Sequence, residues 1–191
     1  NNTKAFINSW FYTGDIFEKH NGHYFIIDRK KDIYKNSRGQ TISPQKIENL
    51  FQDFDSIKSV FLIGDGKEFN TILIYPDFEN APINLSLDNT KKIREFFSSM
   101  ILSVNSFLSP YERIINYVII NRNFSVKRGE ITTKGSYKRK TILKNFSNII
   151  SPLYEKNYKS LHYKNNEIRI PNWILREIGT VKSNVHWNGK K

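Results

Sequence analysis

Eight residues, Asp28-Arg29-Lys30-Lys31-Asp32-Ile33-Tyr34-Lys35, set the first limit on how this chain folds. A strand pattern rich in tyrosine and isoleucine runs into dense charge and emerges beyond it as a second strand. A hydrophobic core has no use for such a cluster, because charges taken out of water without partners are costly. We read it as a boundary between two parts of the chain.

Upstream of the cluster, Trp10 to Ile16 reads as an apolar strand broken at Thr13-Gly14-Asp15, where glycine permits a tight turn. Asn21-Gly22 then sits between Ile16–His20 and His23–Ile27, and the pair accepts positive φ at both turn positions, so a hairpin is expected. His20 and His23 flank that turn with no further ligands nearby, so no metal site is expected. Downstream, Ile33–Lys35 and Gln40–Ile42 bracket Asn36-Ser37-Arg38-Gly39 as a second short hairpin. Ser43-Pro44 supplies an N-cap and a proline at the first helical position, and Ile47, Leu50, Phe51 and Phe54 recur at helical spacing, predicting a helix over 44–54.

Two β-branched and aromatic runs, 57–63 and 71–75, flank Gly64-Asp65-Gly66-Lys67-Glu68 and read as antiparallel strands. The Gly-Asp-Gly lacks the Gly-Lys-Ser/Thr ending of a phosphate loop and is read as a turn. Asn89-Thr90 caps a long helix whose apolar stripe, Ile93, Phe97, Met100, Ile101, Val104, Phe107 and Leu108, is core, until Pro110 stops it. Ile114–Ile120 is a further strand. It opens onto Asn121–Glu130, a loop too charged to be buried, and a helix is expected over 141–150.

Composition narrows the function classes. The 191 residues include no cysteine, which excludes disulfides, thiolate metal sites and a cysteine nucleophile and suits a cytoplasmic setting. No apolar run approaches the roughly 20 residues of a membrane span. The chain has no initiator Met and no signal-peptide pattern, and it is read as a fragment. The net charge of +12 is unevenly placed: residues 1–120 carry 14 Lys and Arg against 14 Asp and Glu, and residues 121–191 carry 16 against 4. The C-terminal end is therefore expected to meet something acidic: nucleotide or coenzyme phosphates, an acyl carrier protein, an anionic membrane surface at which the protein would sit peripherally, or nucleic acid. Nucleic acid is the weakest of these, since the strands look core-facing rather than built as stacking platforms.

Four pieces in order resemble the C-terminal part of the adenylate-forming superfamily of acyl-CoA synthetases, peptide-synthetase adenylation domains and luciferases. They are Tyr12-Thr13-Gly14-Asp15; Asp28 to Asp32; Lys35 to Gly39 leading into Ile42 to Glu48; and Ile131-Thr132-Thr133-Lys134-Gly135. Arg-Lys-Lys-Asp, then Ser-x-Gly, then Pro-Gln-x-Ile-Glu is most similar to the long-chain fatty acid CoA ligase branch. The likeness covers residues 10–145. It implies an α+β fold: a small lid domain with a short hairpin and a three-stranded, mostly antiparallel sheet flanked by helices, preceded by the tail of a large adenylate-binding domain that is missing. Residues 1–30 would be that tail, residue 31 the hinge and 31–147 the small domain. Residues 148–191 would be a basic extension or the start of another domain, in the first case packing Trp173 and Trp187 against the small domain.

The resemblance further implies that Asp15 holds the ribose hydroxyls of the adenylate, with help from Arg29. Lys31 falls on the hinge about which the small domain turns between adenylating and thioester-forming arrangements. Lys35, Ser37, Arg38 and Gly39 match the hairpin that faces the active site in the thioester step. The implied reaction converts a fatty carboxylate and Mg-ATP to acyl-AMP and pyrophosphate, after which coenzyme A displaces AMP. ATP, Mg2+ and coenzyme A would be bound mainly by the missing domain, so the isolated chain is expected to be inactive. A lysine near the C-terminus stabilises charge gathering on phosphate in the first step. Counting from the lysine-glycine form of luciferases and adenylating reductases selects Lys134; counting back from Lys138-Arg139, as in long-chain ligases, selects Ser136. Lys134 is the candidate. Two other outcomes stay open: a domain that is non-catalytic or serves another acceptor, as in acyl-carrier loading or adenylating reductases, and a basic nucleic-acid-binding module.

Overall fold

The computed structural model describes residues 6–7, 10–79 and 90–187. Two short antiparallel strands, β1 (Phe6–Ile7) and β2 (Trp10–Phe11), precede a hairpin of β3 (Asp15–His20) and β4 (His23–Arg29). The break expected at Thr13-Gly14-Asp15 is present: β2 ends at Phe11, Gly14 takes φ +77° and β3 starts at Asp15. Asn21 and Gly22 adopt φ 48° and 84° at the hairpin tip, the twist that suits right-handed strands. A second hairpin, β5 (Tyr34–Lys35) with β6 (Thr41–Ile42), leads into helix α1 (Pro44–Asn49).

The centre is a three-stranded sheet in the order β7 (Ile57–Ile63), β8 (Asn70–Pro76), β9 (Ile114–Ile119). The first pair is antiparallel and the second parallel. A parallel neighbour requires a crossover, which helix α2 (Thr90–Ser106) provides. Side chains alternate across the sheet. Val60, Leu62, Ile72 and Ile74 face α1 and α2, while Phe61, Ile63 and Leu73 face Ile142 of helix α3 (Arg139–Asn145), Ile150 of helix α4 (Ser147–Ile150) and Phe146 between the two. A sheet covered on both faces explains why β8 is apolar almost throughout.

Several expectations are refined by this packing. Helix α1 stops at Asn49, and residues 50–54 tighten into turns with bonds three residues apart, such as Gln52 N–H to Asn49 C=O at 3.1 Å. Phe97, Ile101 and Val104 of α2 are buried as expected, and so is Leu108 just past its end, but Phe107, the first residue beyond the helix, is 79% exposed. Asn89, expected as its cap, lies outside the described residues. The helix expected over 141–150 starts at Arg139 and breaks at Phe146, whose ring is buried beneath the Arg122 guanidinium 4.2 Å above its centroid. Nor is the charged loop 121–130 wholly on the surface. Glu130 has no exposed area, and its carboxylate takes both guanidinium nitrogens of Arg122, at 2.9 and 2.7 Å, and the Asn145 amide at 2.9 Å.

The tail forms a hairpin, β10 (Tyr158–Tyr163) and β11 (Asn166–Pro171), then helix α5 (Asn172–Ile178), which Gly179 ends at φ 75°. Arg113 ties it down by donating to the Arg176 and Glu177 carbonyls, and Val181 is buried in the main core. Its tryptophans are not buried: Trp173 is 51% exposed, and Trp187 is 50% exposed with its ring stacked on Tyr163. Leu175 and Val181 do the anchoring instead. Among the described residues, no helix is long and apolar enough to cross a membrane.

Candidate functional site

The register of the first hairpin sets Asp15 directly opposite Arg29, and their side chains pair at 3.2 Å. Lys30 N–H bonds to Gly14 C=O at 2.8 Å and closes the base of the hairpin. The Arg29 carbonyl then accepts Asp32 N–H and Ile33 N–H, at 2.9 and 3.2 Å, so the chain folds back tightly over an exposed Lys31.

What fixes this turn against the rest of the molecule is Asp28, which is fully buried. Its carboxylate accepts the Ser43 hydroxyl at 2.6 Å, the Gln45 N–H at 3.0 Å and the Arg29 N–H at 2.6 Å. Ser43 stands at the N-cap of α1 but makes no capping bond of its own. The cap comes from Asp28, 15 residues earlier in the chain, where a carboxylate also suits the positive end of the helix.

Lys134 sits at the tip of a second reversal. Ile131 bridges Tyr137, Thr132 N–H bonds to Ser136 C=O at 2.8 Å, and Gly135 N–H returns to Thr132 C=O at 2.9 Å. Gly135 takes φ +82°, a conformation strained for other residues, and this leaves Lys134 exposed at the apex. Ser136 lies on the return limb, where its N–H bonds to the Thr132 hydroxyl oxygen at 3.1 Å.

Two clefts flank the place where these turns meet. One, of about 460 Å³, is lined by Asp15, Arg29 and Ser136. The other, of about 1060 Å³, is lined by Arg29, Lys31 and Lys134 together with Lys67, Lys138 and Lys140, against the carboxylates Asp32 and Asp65. Four of the residues singled out in the sequence therefore gather here. Lys35, Ser37 and Gly39 line neither cleft. Their hairpin is pinned to the turn ahead of β8 by Gly66 N–H to Lys35 C=O and Ser37 N–H to Lys67 C=O, both 2.9 Å.

Beneath both clefts lies a pair that the sequence did not announce. Arg139, the first residue of α3, donates to Glu48 of α1 at 2.6 Å and to the Leu62 carbonyl of β7 at 3.3 Å. Glu48 also accepts the Leu62 N–H at 2.8 Å. Burial pushes the Glu48 carboxyl up to about 7, against the pull of Arg139 and the Leu62 N–H. Desolvation likewise raises the neighbouring Tyr137 hydroxyl. At Glu130 desolvation is outweighed by the hydrogen bonds from Arg122, Asn145 and Ser125, which hold it below the ordinary carboxylate value. A signal for Glu48 did exist: it is the one charged residue on the apolar side of α1, one position after Ile47.

With the geometry laid out, comparison with known proteins decides the family. The C-terminal domain model of AMP-binding enzymes matches residues 31–158. The chain belongs to that family. Among curated relatives of this AMP-binding enzyme C-terminal domain is human long-chain-fatty-acid–CoA ligase 1, 30% identical over 159 residues, or 76% of this chain and 23% of the relative. The chain thus spans about a quarter of that relative's length. Among solved structures, the adenylation domain of a carboxylate reductase from Mycobacterium chelonae superposes with a TM-score of 0.69 at 19% identity, over 81% of this chain and 24% of that one. The A-PCP didomain of a carboxylic acid reductase from Segniliparus rugosus, in complex with AMP, gives 0.65 at 18% identity, over 80% and 22%. These two likenesses establish the fold, a small α+β unit.

Proposed function

We propose that this chain is the C-terminal part of a long-chain fatty acid CoA ligase, which joins a fatty carboxylate to ATP as acyl-AMP and passes the acyl group to coenzyme A. The observation that carries the reading is the basic cleft in which Arg29, Lys31 and Lys134 converge, with Arg29 paired to Asp15 of the adjoining cleft. Such a cleft suits a polyphosphate, and an exposed lysine at a loop tip can be delivered to a phosphate held by another domain. In this reading residues 1–30 are the tail of the large domain and residues 31–147 are the lid.

Each side chain then has a role. Asp15 accepts the two ribose hydroxyls of the adenylate, which a carboxylate with two oxygens can do at once, and Arg29 orients it. Lys134 neutralises charge on the α-phosphate as the carboxylate attacks and pyrophosphate departs. Lys31 is the pivot, and Lys35, Ser37 and Gly39 form the face turned to the active site for the thioester step. The large domain would bind ATP, Mg2+ and coenzyme A for the most part, so the chain alone has no turnover. The aromatic side chains that the first hairpin exposes, Phe17, Tyr24 and Phe25 among them, fit a surface covered by that domain. The sequence relatives favour coenzyme A as acceptor over a carrier-bound thiol.

The test uses the intact enzyme with hexadecanoate. Lys134→Ala should lower carboxylate-dependent ATP–pyrophosphate exchange by about 10²- to 10³-fold, while transfer from preformed acyl-adenylate to coenzyme A stays within about threefold. Ser136→Ala should leave both rates unchanged. Full exchange activity in Lys134→Ala would overturn the assignment, and a preference for acetate or benzoate over hexadecanoate would overturn the substrate class.

A further inference from the structure

A third cleft, of about 580 Å³, shares no lining residue with the other two and forms where the tail meets the central sheet and α2. Three cations line it, each from a different element: Arg94 from α2, Lys159 from β10 and Lys182 from the turn after α5. Among the described residues no carboxylate lines it. Asn116 and Ser183 add neutral polar groups, and Val118 contributes to an apolar wall. Lys159 and Lys182 both lie beyond the residues matched by the family model, so the tail completes this cleft.

We propose that this cleft binds a phosphate monoester whose phosphate sits among Arg94, Lys159 and Lys182 and whose organic body lies along the apolar wall. Three cations on separate elements suit a multi-oxygen dianion better than a single carboxylate, and the planar guanidinium offers paired donors. Lys182 is half-buried, its ammonium donating to the Lys156 carbonyl at 2.8 Å and lying 5.1 Å from the Phe69 ring centroid. Burial first, and the charge of Lys159 second, lower its pKa to about 8. Glu68, the carboxylate that opposes this shift, lies outside the cleft lining and is 3.9 Å from Arg38. A bound dianion would supply the missing counter-charge. A free phosphorylated nucleoside and a phosphorylated lipid headgroup share this chemistry.

The experiment titrates the 15N-labelled chain with three soluble probes: inorganic phosphate, adenosine 3′,5′-bisphosphate and inositol 1,4,5-trisphosphate. Saturable shifts at residues 94, 159, 182 and 183 are expected with at least one of the two esters, tighter than with inorganic phosphate. The tighter ester tells nucleoside from headgroup. Lys182→Gln and Lys159→Gln should each weaken that binding by about fivefold or more; the second leaves the Lys182 bond to Lys156 in place, so it keeps the test valid if the first loosens the tail. Lys127→Gln, on a different basic surface, should change nothing. Binding should also weaken as pH rises through about 8, where Lys182 loses its proton in the company of Lys159, Arg94 and Glu68. Non-saturable shifts spread over all lysines, or unchanged affinity in both variants, would overturn the proposal. Neither result bears on Lys134, whose assignment rests on another cleft.

Discussion

Glu48 shows how one buried side chain can set the pH response of the whole fold. Its carboxyl is raised from 4.5 to about 7 in the folded chain. Between those values the folded state holds a proton that the unfolded state has released, so stability falls as pH rises through this window and is flat on either side of it for this group. A shift of this size corresponds to about 3 kcal/mol at most. Glu48→Gln removes the titration and, with its one amide oxygen, keeps an acceptor for either Arg139 or the Leu62 N–H but not for both. Chemical denaturation from pH 4 to 8 should therefore find the variant below the parent at pH 4 by the bond it has lost, and gaining on it by 1 kcal/mol or more, in order of magnitude, by pH 7. A parent that instead becomes more stable than the variant across this range would show that the Arg139 ion pair dominates.

At the scale of elements, the first hairpin and helix α1 are joined by Asp28, and that joint explains what could and could not be read from the sequence. Asn21-Gly22, Ser43-Pro44 and the stripe of α2 act through their own neighbours, so local chemistry foretold two hairpins, two helices and the strands β7, β8 and β9. The gathering of Arg29, Lys31 and Lys134 came through family resemblance, since no local pattern links residues about 100 positions apart. Asp28, Glu48 and Arg139 escaped because each looks like surface charge until a partner distant in the chain is brought beside it. Phe107 and the tail tryptophans mark the opposite limit: residue type reads them as core, yet Phe107, just past the end of α2, and Trp173 and Trp187 in the tail stay exposed. The joint can be tested directly. Asp28→Ala removes the α1 cap and takes the acceptor from the partly buried Ser43 hydroxyl and from the Gln45 N–H, which should cost about 1–2 kcal/mol in denaturant unfolding. It should also speed trypsin cleavage after Lys30 and Lys31 severalfold under native conditions. Unchanged cleavage would mean that Asp28 caps the helix without holding the turn.

For the whole molecule, the question is whether the charged turn after β4 is a place where the protein bends. Among the described residues, the turn is held by Asp32 N–H and Ile33 N–H on the Arg29 carbonyl and by Asp28 on α1, while Lys31 itself is exposed and its side chain lines the basic cleft. A backbone change at this residue would carry the sheet, the Lys134 loop and the second hairpin as one body relative to β3 and β4, exchanging the face that bears Lys134 for the face that bears Lys35, Ser37 and Gly39. Proline at this position fixes φ near −65° and biases Lys30 toward extended geometry, so it tolerates one arrangement and opposes the other. In the intact enzyme, Lys31→Pro should depress one half-reaction at least tenfold more than the other, read as ATP–pyrophosphate exchange against transfer of preformed acyl-adenylate to coenzyme A. Lys31→Ala, which keeps backbone freedom, should leave the ratio of the two near that of the parent. Equal losses in Lys31→Pro would assign residue 31 to the cleft wall alone and move the pivot elsewhere in the turn.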